Sequence, residues 1–312
     1  MHVWQSIASL ENIPGPVVLA LGVFDGLHLG HQAVLSAARE LAVKHGGTAV
    51  MATFSPHPLR VLRPDISPLL MTSLEHKKRL LQGLGIEHLL VIPFTAEFGD
   101  QDPKQFLEDL RRSARPLGGI VTGTDYCFGK QRRGTVQMLA EYGALHGIEV
   151  CSISAVMLGG DRISSTRLRR AVMDGDFGLA AQLLGRPHSV LGTVMSGKQL
   201  GRTLGFPTAN LHVHSEQLPP PGVYAVRVRI EDTPFAGMAN LGVRPTVQSD
   251  GQPVLEVHIL DFNQMLYGQD IEIEFVQFLR AEQKFSGIEA LKAQLEADRD
   301  QARALLLSAP SV

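Results

Sequence analysis

Apolar runs alternate with amphipathic segments through the first half of the chain. The apolar runs are rich in β-branched residues and read VVLALGVF (17–24), TAVMATF (48–54), HLLVIPF (88–94), GIVTGTD (119–125) and EVCSISAV (149–156). The segments between them have helical spacing, and several end in glycine: HQAVLSAARELAVKHG, SLEHKKRLLQGLG, PKQFLEDLRRSA and TVQMLAEYGALHG. This alternation predicts an α/β domain over residues 1–184, with a parallel sheet covered by helices on both faces.

The pattern changes after GRPH (185–188). Short segments with partial two-residue alternation follow, several separated by turn residues such as PPPG and SDGQP: VLGTVMSG, TANLHV, GVYAVRVRI, FAGMANLGV, LEVHILDF and DIEIEFVQFL. They predict a small antiparallel β-barrel over residues 185–312. The final SGIEALKAQLEADRDQARALLL predicts a helix, with a capping box formed by Ser286 and Glu289. Its apolar stripe consists of Ile288, Leu291 and Leu295.

Composition narrows the class of protein. Hydrophobic residues make up 44% of the 312 positions and charged residues 19%, which is enough for packed cores and unlike a disordered chain. The net charge is −2, so the basic face of a general nucleic-acid binder is not expected. Two distant cysteines, Cys127 and Cys151, and the lack of a signal or membrane-length apolar run predict a cytoplasmic protein without a membrane partner. Homo-oligomerisation is left open.

The stretch GVFDGLHLGH (22–31) follows the first apolar run, where ligands bind in open α/β sheets. A glycine-rich turn into a helix exposes backbone N–H groups and the positive end of the helix dipole, which together favour an anion. Gly22 and Gly26 allow the backbone to approach a phosphate closely. His28 and His31 share one helix face and can donate hydrogen bonds to phosphate oxygens. Simple capping and packing is the alternative, and a zinc site lacks further ligands at a fitting spacing.

The same stretch resembles the HxGH signature of the adenylyl- and cytidylyltransferase superfamily, whose domains are Rossmann-like. ISSTRLRRAV (163–172) resembles that superfamily's second signature, ISSTxxR, with Arg169 as the motif arginine. Its hydroxyl residues can cap a helix and its arginine can grip phosphates, although an ordinary cap with a solvated arginine face gives the same pattern. The resemblance implies catalytic roles for His28, His31 and Arg169. It implies nucleotide binding by Gly22, Phe24, Asp25, Gly26, Ser164, Ser165 and Thr166.

A second glycine-rich stretch, GTVMSGKQ (192–199), nearly fits the P-loop pattern. Gln199 replaces the hydroxyl residue that would bind Mg²⁺ and no helix pattern follows, so the P-loop interpretation fails. The longer run GRPHSVLGTVMSGKQLGRTLGFPTANL instead resembles the start of a riboflavin kinase domain. That resemblance implies that Thr208 and Asn210 of its PTAN element bind Mg²⁺ and ATP phosphates, since hard oxygen ligands suit Mg²⁺. It also implies a flexible flap over the nucleotide formed by Gly192, Gly197, Gly201 and Gly205, although these glycines could simply form barrel turns.

Two further elements of the second half match the riboflavin kinase pattern. NLGVRPTV (240–247) resembles its N-x-G-x-R-P-T segment, and LEVHILDF carries Glu256 among apolar residues. Alternation alone favours Glu256 as the polar face of an edge strand, whereas the resemblance implies a base that accepts the proton of the substrate hydroxyl. Arg280 lies in the LRxExKF element and is implied to bind the flavin.

The motifs together resemble the bacterial bifunctional riboflavin kinase/FAD synthetase family over nearly the whole chain. FSPHP (54–58) and GTDYCFG (123–129) also match, which implies flavin contacts by Pro56, His57, Asp125 and Phe128. The implied reactions use ATP to convert riboflavin to FMN and FMN to FAD. His188, Val243 and Val247 depart from the usual residues. Two other functions stay open: adenylylation of another phosphorylated small molecule, such as pantetheine phosphate, and flavin binding without catalysis.

Overall fold

The computed structural model describes residues 1–196, 201, 204–231, 233–243 and 253–308. The chain forms two compact units, one of residues 1–69 with 77–164 and one of residues 70–76 with 165–312. Gly197 and residues 244–247 of the NLGVRPTV segment lie outside the described residues.

The first unit is built on a six-stranded sheet in which every neighbouring pair is parallel. The strands of this unit are β1(His2–Trp4), β2(Val17–Leu21), β3(Thr48–Ser55), β4(His88–Pro93), β5(Leu117–Gly123), β6(Cys127–Phe128), β7(Gly134–Thr135), β8(Glu149–Ile153), β9(Met157–Leu158) and β10(Asp161–Arg162). The sheet order is β1-β4-β3-β2-β5-β8, while β6 pairs with β7 and β9 with β10. The predicted parallel sheet is confirmed, and β1 is an edge strand that hydrophobic patterning did not predict.

Helices connect these strands as expected. They are α1(Leu29–Lys44), α2(Pro58–Leu62), α3(Leu74–Gly83), α4(Ala96–Gly99), α5(Pro103–Ser113) and α6(Val136–His146). Local signals fix their ends: Asp102 caps α5 before Pro103, and Gly147 ends α6 in the left-handed conformation at φ 71°. All five residues of β2 are buried, which explains its uninterrupted apolar sequence.

The second unit contains a closed antiparallel barrel, as predicted. Its strands are β11(Ser189–Met195), β12(Ala209–Val213), β13(Gly222–Ile230), β14(Thr233–Val243), β15(Pro253–Ile259) and β16(Asp270–Arg280), closed in the order β11-β12-β15-β14-β13-β16. The helices of this unit are α7(Ser165–Met173), α8(Phe177–Leu184) and α9(Ile288–Ser308). Helix α9 confirms the predicted terminal helix, but Ile288 is 65% exposed and does not belong to its buried face.

The second unit also includes residues from outside the predicted barrel. Phe177 of α8 packs in the barrel core, and the backbone oxygen of Leu70 accepts hydrogen bonds from the N–H groups of Glu216 and Gln217, both at 2.9 Å. Such long-range pairings carry no local sequence signal. The domain boundary at Leu184 stays a prediction.

Candidate active sites

The first candidate site lies at the carboxyl ends of β2 and β5. The chain leaves β2 toward β3 on one side, while β5 lies on the other side, so the strand order reverses between them. Ligands of open α/β sheets bind in the crevice outside such a reversal. The predicted turn after β2 and the GTDYCFG segment after β5 both begin there.

The turn after β2 has an unusual backbone. Phe24 and Leu27 adopt positive φ angles of 53° and 47°, although neither is glycine, and both side chains are buried. Gly26 has a φ of 86°, and a Cβ atom on Gly22 would lie 3.0 Å from the Phe24 ring. Non-glycine residues in this region cost energy and persist only where the surroundings hold them. The turn therefore has a defined shape, with the carboxylate of Asp25 also buried in it.

His28 and His31 form a stacked pair at the start of α1. Their ring centroids are 3.7 Å apart and their planes differ by 15°. His28 caps the helix, since its Nδ1 atom accepts a hydrogen bond from the His31 N–H group at 3.3 Å. The proton of the neutral His28 ring is therefore on Nε2, which can act as a donor. A Cβ atom on Gly30 would lie 3.2 Å from the His28 ring, which explains the glycine between the two histidines.

His31 is an uncharged ring in this arrangement. Burial comes first, followed by the repulsion that a second proton on the His28–His31 pair would meet and by the charges of Lys77 and Arg162; together they hold the pKa of His31 well below its ordinary value. Its Nδ1 atom is buried without a hydrogen-bond partner in the described part of the chain. The pair thus offers neutral nitrogen atoms next to cationic neighbours, an arrangement suited to an anionic ligand.

The sequence patterns missed Lys77, whose Nζ atom donates a hydrogen bond to the Val23 carbonyl oxygen at 3.1 Å. Thr53 donates to the same oxygen from β3, at 2.8 Å. Burial lowers the pKa of Lys77, and the charge of Asp25 acts in the opposite direction. Lys77 escaped notice because HKKRLL resembles the exposed face of an amphipathic helix.

Aromatic rings extend from the end of β3 to β6. Neighbouring ring centroids are 5.7 to 6.1 Å apart in the order Phe94, Phe54, Phe98, Phe106, Phe128 and Tyr126. Of the residues implied to contact the flavin, Phe128 belongs to this row, and Pro56 follows its β3 end. His57 caps α2, its Nδ1 atom accepting from the Leu59 N–H group at 3.1 Å. Asp125 forms an exposed ion pair with Arg162 at 2.8 Å.

The second signature begins helix α7. Ser164 is the last residue of its part of the first unit, whereas α7 belongs to the second unit. Arg169 is half-buried and Thr166 is exposed, while Arg170 forms an ion pair with Asp174 at 2.7 Å. The roles of Ser164, Ser165, Thr166 and Arg169 stay predictions.

The second candidate site is a cavity of about 230 Å³ in the barrel unit. Four predicted residues line it: Gly201, Thr208, Glu256 and Arg280. Its wall also contains residues to which the sequence analysis gave no role. Asn240, Glu282 and Phe285 occupy fixed positions of the N-x-G-x-R-P-T and LRxExKF elements, and Met238, His258 and Asp298 lie outside them. Residues from distant strands and from α9 meet here, which only the closure of the barrel brings about.

Three polar residues form a row across adjacent strands of this unit. Glu256 on β15 pairs with Asn210 on β12 and with Asn240 on β14, so the three side chains leave the same face. Asn240 donates from Nδ2 to the Glu282 carboxylate at 3.1 Å, and its Oδ1 atom is buried without a partner among the described residues. With the Thr208 hydroxyl, the cavity offers a set of hard oxygen atoms.

Arg280 has a structural role that the motif did not predict. Its Nε and Nη2 atoms donate to the carboxylate of Asp298 on α9 at 2.7 to 3.0 Å, and Nη1 donates to the Ala281 carbonyl oxygen at 3.0 Å. Its guanidinium also lies 5.7 Å from the centre of the Phe285 ring. Arg280 therefore ties α9 to β16 at the wall of the cavity, and flavin contact by this residue stays a prediction.

The predicted glycine flap is partly wrong. Gly192 lies inside β11, paired with Val213 on one side and Ile271 on the other, so it is not a loop residue. A side chain there would approach the His212 carbonyl oxygen at 3.0 Å, which explains the glycine. Gly201 lines the cavity and Gly205 is an exposed turn residue at φ 83°.

Comparisons with known proteins match each of the two regions of the chain. A family model described as FAD synthetase matches residues 10–167, and one described as riboflavin kinase matches residues 184–306. A curated relative from Listeria monocytogenes, named bifunctional riboflavin kinase/FMN adenylyltransferase, is 42% identical over 92% of this chain and 91% of its own. The relative of the same name from Escherichia coli K12 is 38% identical over 97% of both chains.

One solved structure matches over almost the full length. It is a crystal structure from Streptococcus pneumoniae described as a macrolide-efflux protein, with a TM-score of 0.80 and 32% identity over 97% of this chain and 98% of that chain. Within the part of the present chain that is described, no helix combines the length and apolar character needed to cross a membrane.

Proposed function

The chain belongs to the family of bifunctional riboflavin kinase/FMN adenylyltransferases, and we propose that the turn at residues 22–31 and the barrel cavity are its two reaction centres. Its FAD synthetase region precedes its riboflavin kinase region, so one polypeptide converts riboflavin to FMN and FMN to FAD. This membership decides against adenylylation of pantetheine phosphate and against flavin binding without catalysis.

In adenylyl transfer, a phosphate oxygen of FMN attacks the α-phosphorus of ATP and pyrophosphate leaves. The negative charge that moves onto pyrophosphate requires donors already in place. His28 supplies its Nε2–H group, because its Nδ1 atom is occupied by the helix cap. The N–H groups at the start of α1 and the nearby cationic residues Lys77 and Arg162 add positive potential. Positioning and electrostatics carry this step without a covalent enzyme intermediate.

In the kinase reaction, Glu256 accepts the proton of the ribityl 5′-hydroxyl while that oxygen attacks the γ-phosphorus of ATP and ADP leaves. The half-buried position of Glu256 in the wall of the cavity allows it to reach a bound substrate. Asn210 and Asn240, its neighbours on both sides, orient groups around it.

The oxygen atoms of Thr208 and Asn210 fit Mg²⁺, because this ion prefers oxygen ligands and takes much of its coordination from water and substrate phosphates. Within the described residues, no group of three His, Cys, Asp or Glu side chains could hold a metal ion, so the protein alone supplies few strong ligands. When bound with ATP, Mg²⁺ neutralises phosphate charge.

The substrates, the cysteines and the net charge of the chain support a proposal for its location and its partners. ATP is abundant in the cytoplasm and both cysteines are free thiols, which supports a cytoplasmic location. The net charge of −2 favours small-molecule partners over nucleic acid. Self-association stays a prediction that light scattering would test.

The observation that carries the assignment of the first site is the stacked His28–His31 pair at a helix start, packed over Gly30. Replacing His28 by Ala should lower FAD formation from FMN about a hundredfold or more and leave riboflavin phosphorylation intact. Glu256→Gln should abolish FMN formation and spare FAD formation when FMN is supplied. Chromatographic separation of the flavins over time measures both.

Matched controls are H146A, which removes an exposed histidine from the end of α6, and E296Q, on the exposed face of α9. Both should behave as the unaltered protein. Loss of both activities in a folded H28A or E256Q protein would contradict the division of labour between the two centres.

A further inference from the structure

Two donors meet at a single backbone oxygen beneath the adenylyl-transfer turn. The Val23 carbonyl accepts one hydrogen bond from Lys77 on α3 and one from Thr53 on β3. Val23 immediately precedes Phe24, whose positive φ has to be held by its surroundings. Lys77 and Thr53 therefore brace the turn at the residue where its backbone first becomes strained.

The two donors differ in charge. Thr53 is neutral and 1% exposed, whereas Lys77 is 7% exposed and its ammonium group interacts electrostatically with the buried carboxylate of Asp25. A buried lysine usually needs such a partner to remain charged. The same lysine acts electrostatically on His31, which is also faced by His28 and Arg162.

We propose that Lys77 is a positioning residue of the FMN adenylyltransferase: it anchors the Val23 carbonyl and keeps a fixed positive charge close to His31. The anchor preserves the strained turn. The positive charge of Lys77 opposes proton uptake by His31, so the histidine pair stays neutral and its N–H groups remain aimed at phosphate. The same charge keeps the electrostatic potential at the turn positive. This role rests on the proposed function of the turn.

Replacing Lys77 by Met removes both anchor and charge, whereas Thr53→Val removes only an anchor. We expect both variants to lower kcat/KM for FAD formation from FMN by about tenfold or more, because small displacements at a reacting centre are costly. Loss of a nearby positive charge raises the pKa of His31. The acidic limb of the pH profile should therefore move to higher pH by about half a unit or more in K77M, and stay in place in T53V.

Asp25→Asn should shift the pH profile in the opposite direction from K77M, because it removes the negative charge that offsets Lys77. The acidic limb of the D25N profile for FAD formation should move to lower pH. Titration of the His31 ring by NMR in selectively labelled full-length protein, assigned with H31Q, should show the same order of pKa values without reference to activity. Riboflavin phosphorylation and the fluorescence of Trp4, the only tryptophan, serve as checks of folding.

The electrostatic role of Lys77 would be overturned if the pH profile of FAD formation and the His31 titration were the same in K77M, T53V and the unaltered protein. The anchoring role would be overturned if K77M formed FAD from FMN at an undiminished rate. Failure of the proposed function looks different. In that case H28A itself would leave FAD formation intact, whatever Lys77 does.

Discussion

The ion pair between Arg280 and Asp298 should decide whether α9 stays docked on the barrel. Arg280 lies at the end of β16, and Asp298 is a residue of α9 with 2% of its side chain exposed. Asp298 also accepts a hydrogen bond from Gln294 at 2.8 Å. The replacement Asp298→Asn keeps the shape of the side chain and removes its charge.

The expected loss of free energy in D298N follows from the burial of the Arg280–Asp298 pair. Removing one partner of a buried pair costs about 3 to 5 kcal/mol, because the other charge stays in a poor solvent. Arg280 keeps 19% of its side chain exposed and asparagine retains one acceptor, so we expect the lower end, about 3 kcal/mol. That energy corresponds to a change of about a hundredfold in the equilibrium for detaching α9.

Hydrogen exchange resolved by mass spectrometry measures this opening in peptides of α9 and β16. The matched control is D261N, because Asp261 forms an ion pair with Arg303 of the same helix, with 80% and 45% of the side chains exposed. An exposed pair contributes little, so D261N should change exchange by no more than about threefold. Peptides of the first unit should be unaffected in both variants.

A functional consequence accompanies the opening. Leu291 and Leu295 of α9 line the barrel cavity, so D298N should raise the KM for riboflavin while FAD formation from FMN is unchanged. Equal exchange in D298N and D261N would contradict this expectation, since burial would then add nothing to the strength of the Arg280–Asp298 pair.

Two further replacements test local features. The His188 ring lies against both Phe177 and Phe275, which also stack on each other. Burial, followed by the charges of Arg186 and His76, lowers the pKa of His188 to about 3. Because the unfolded chain binds a proton at higher pH than the folded one, stability is lost as pH falls from about 6.5 toward 3. H188F should therefore lose less stability than the unaltered protein between pH 7 and pH 5 in urea unfolding followed by circular dichroism, and an equal loss would contradict the assignment. Gly30→Ala places a methyl group 3.2 Å from the His28 ring and should lower FAD formation about tenfold, with FMN formation unchanged. Its control is Gly83→Ala in α3, where a Cβ atom meets no described atom within 4 Å, and similar rates in both variants would show that the Gly30 contact does not position His28.

Much of the architecture could be predicted from local patterns. The strand from Val17 is apolar throughout because a central parallel strand is covered on both faces, and α6 ends at Gly147 because a left-handed residue closes it. Barrel strands such as β13 coincide with their predicted segments, since turn residues bound them tightly. Edge strand β1 was missed because three residues are too few to show a period.

The residues of the candidate sites were also predictable where they are close in sequence and not where the fold brings them together. His28, His31 and Gly30 are close in sequence, so one helix start places them together and a motif can reveal them. Gly192 was misplaced because a glycine inside a strand and a glycine in a loop look alike until the neighbouring backbone is known. Only the structure shows that Asn240 and Glu282 are joined by a hydrogen bond and that both line the cavity.

Local patterns along the chain were enough to predict the order of the elements, the two regions and the motif residues, because each depends on neighbours within a few positions. Tertiary structure alone decided which distant groups act on those motifs. Lys77 lies 54 positions from Val23, and Asp298 lies 18 positions from Arg280. Such pairs form through packing and electrostatics between elements, and the energy of burying a charge depends on surroundings that no local pattern contains.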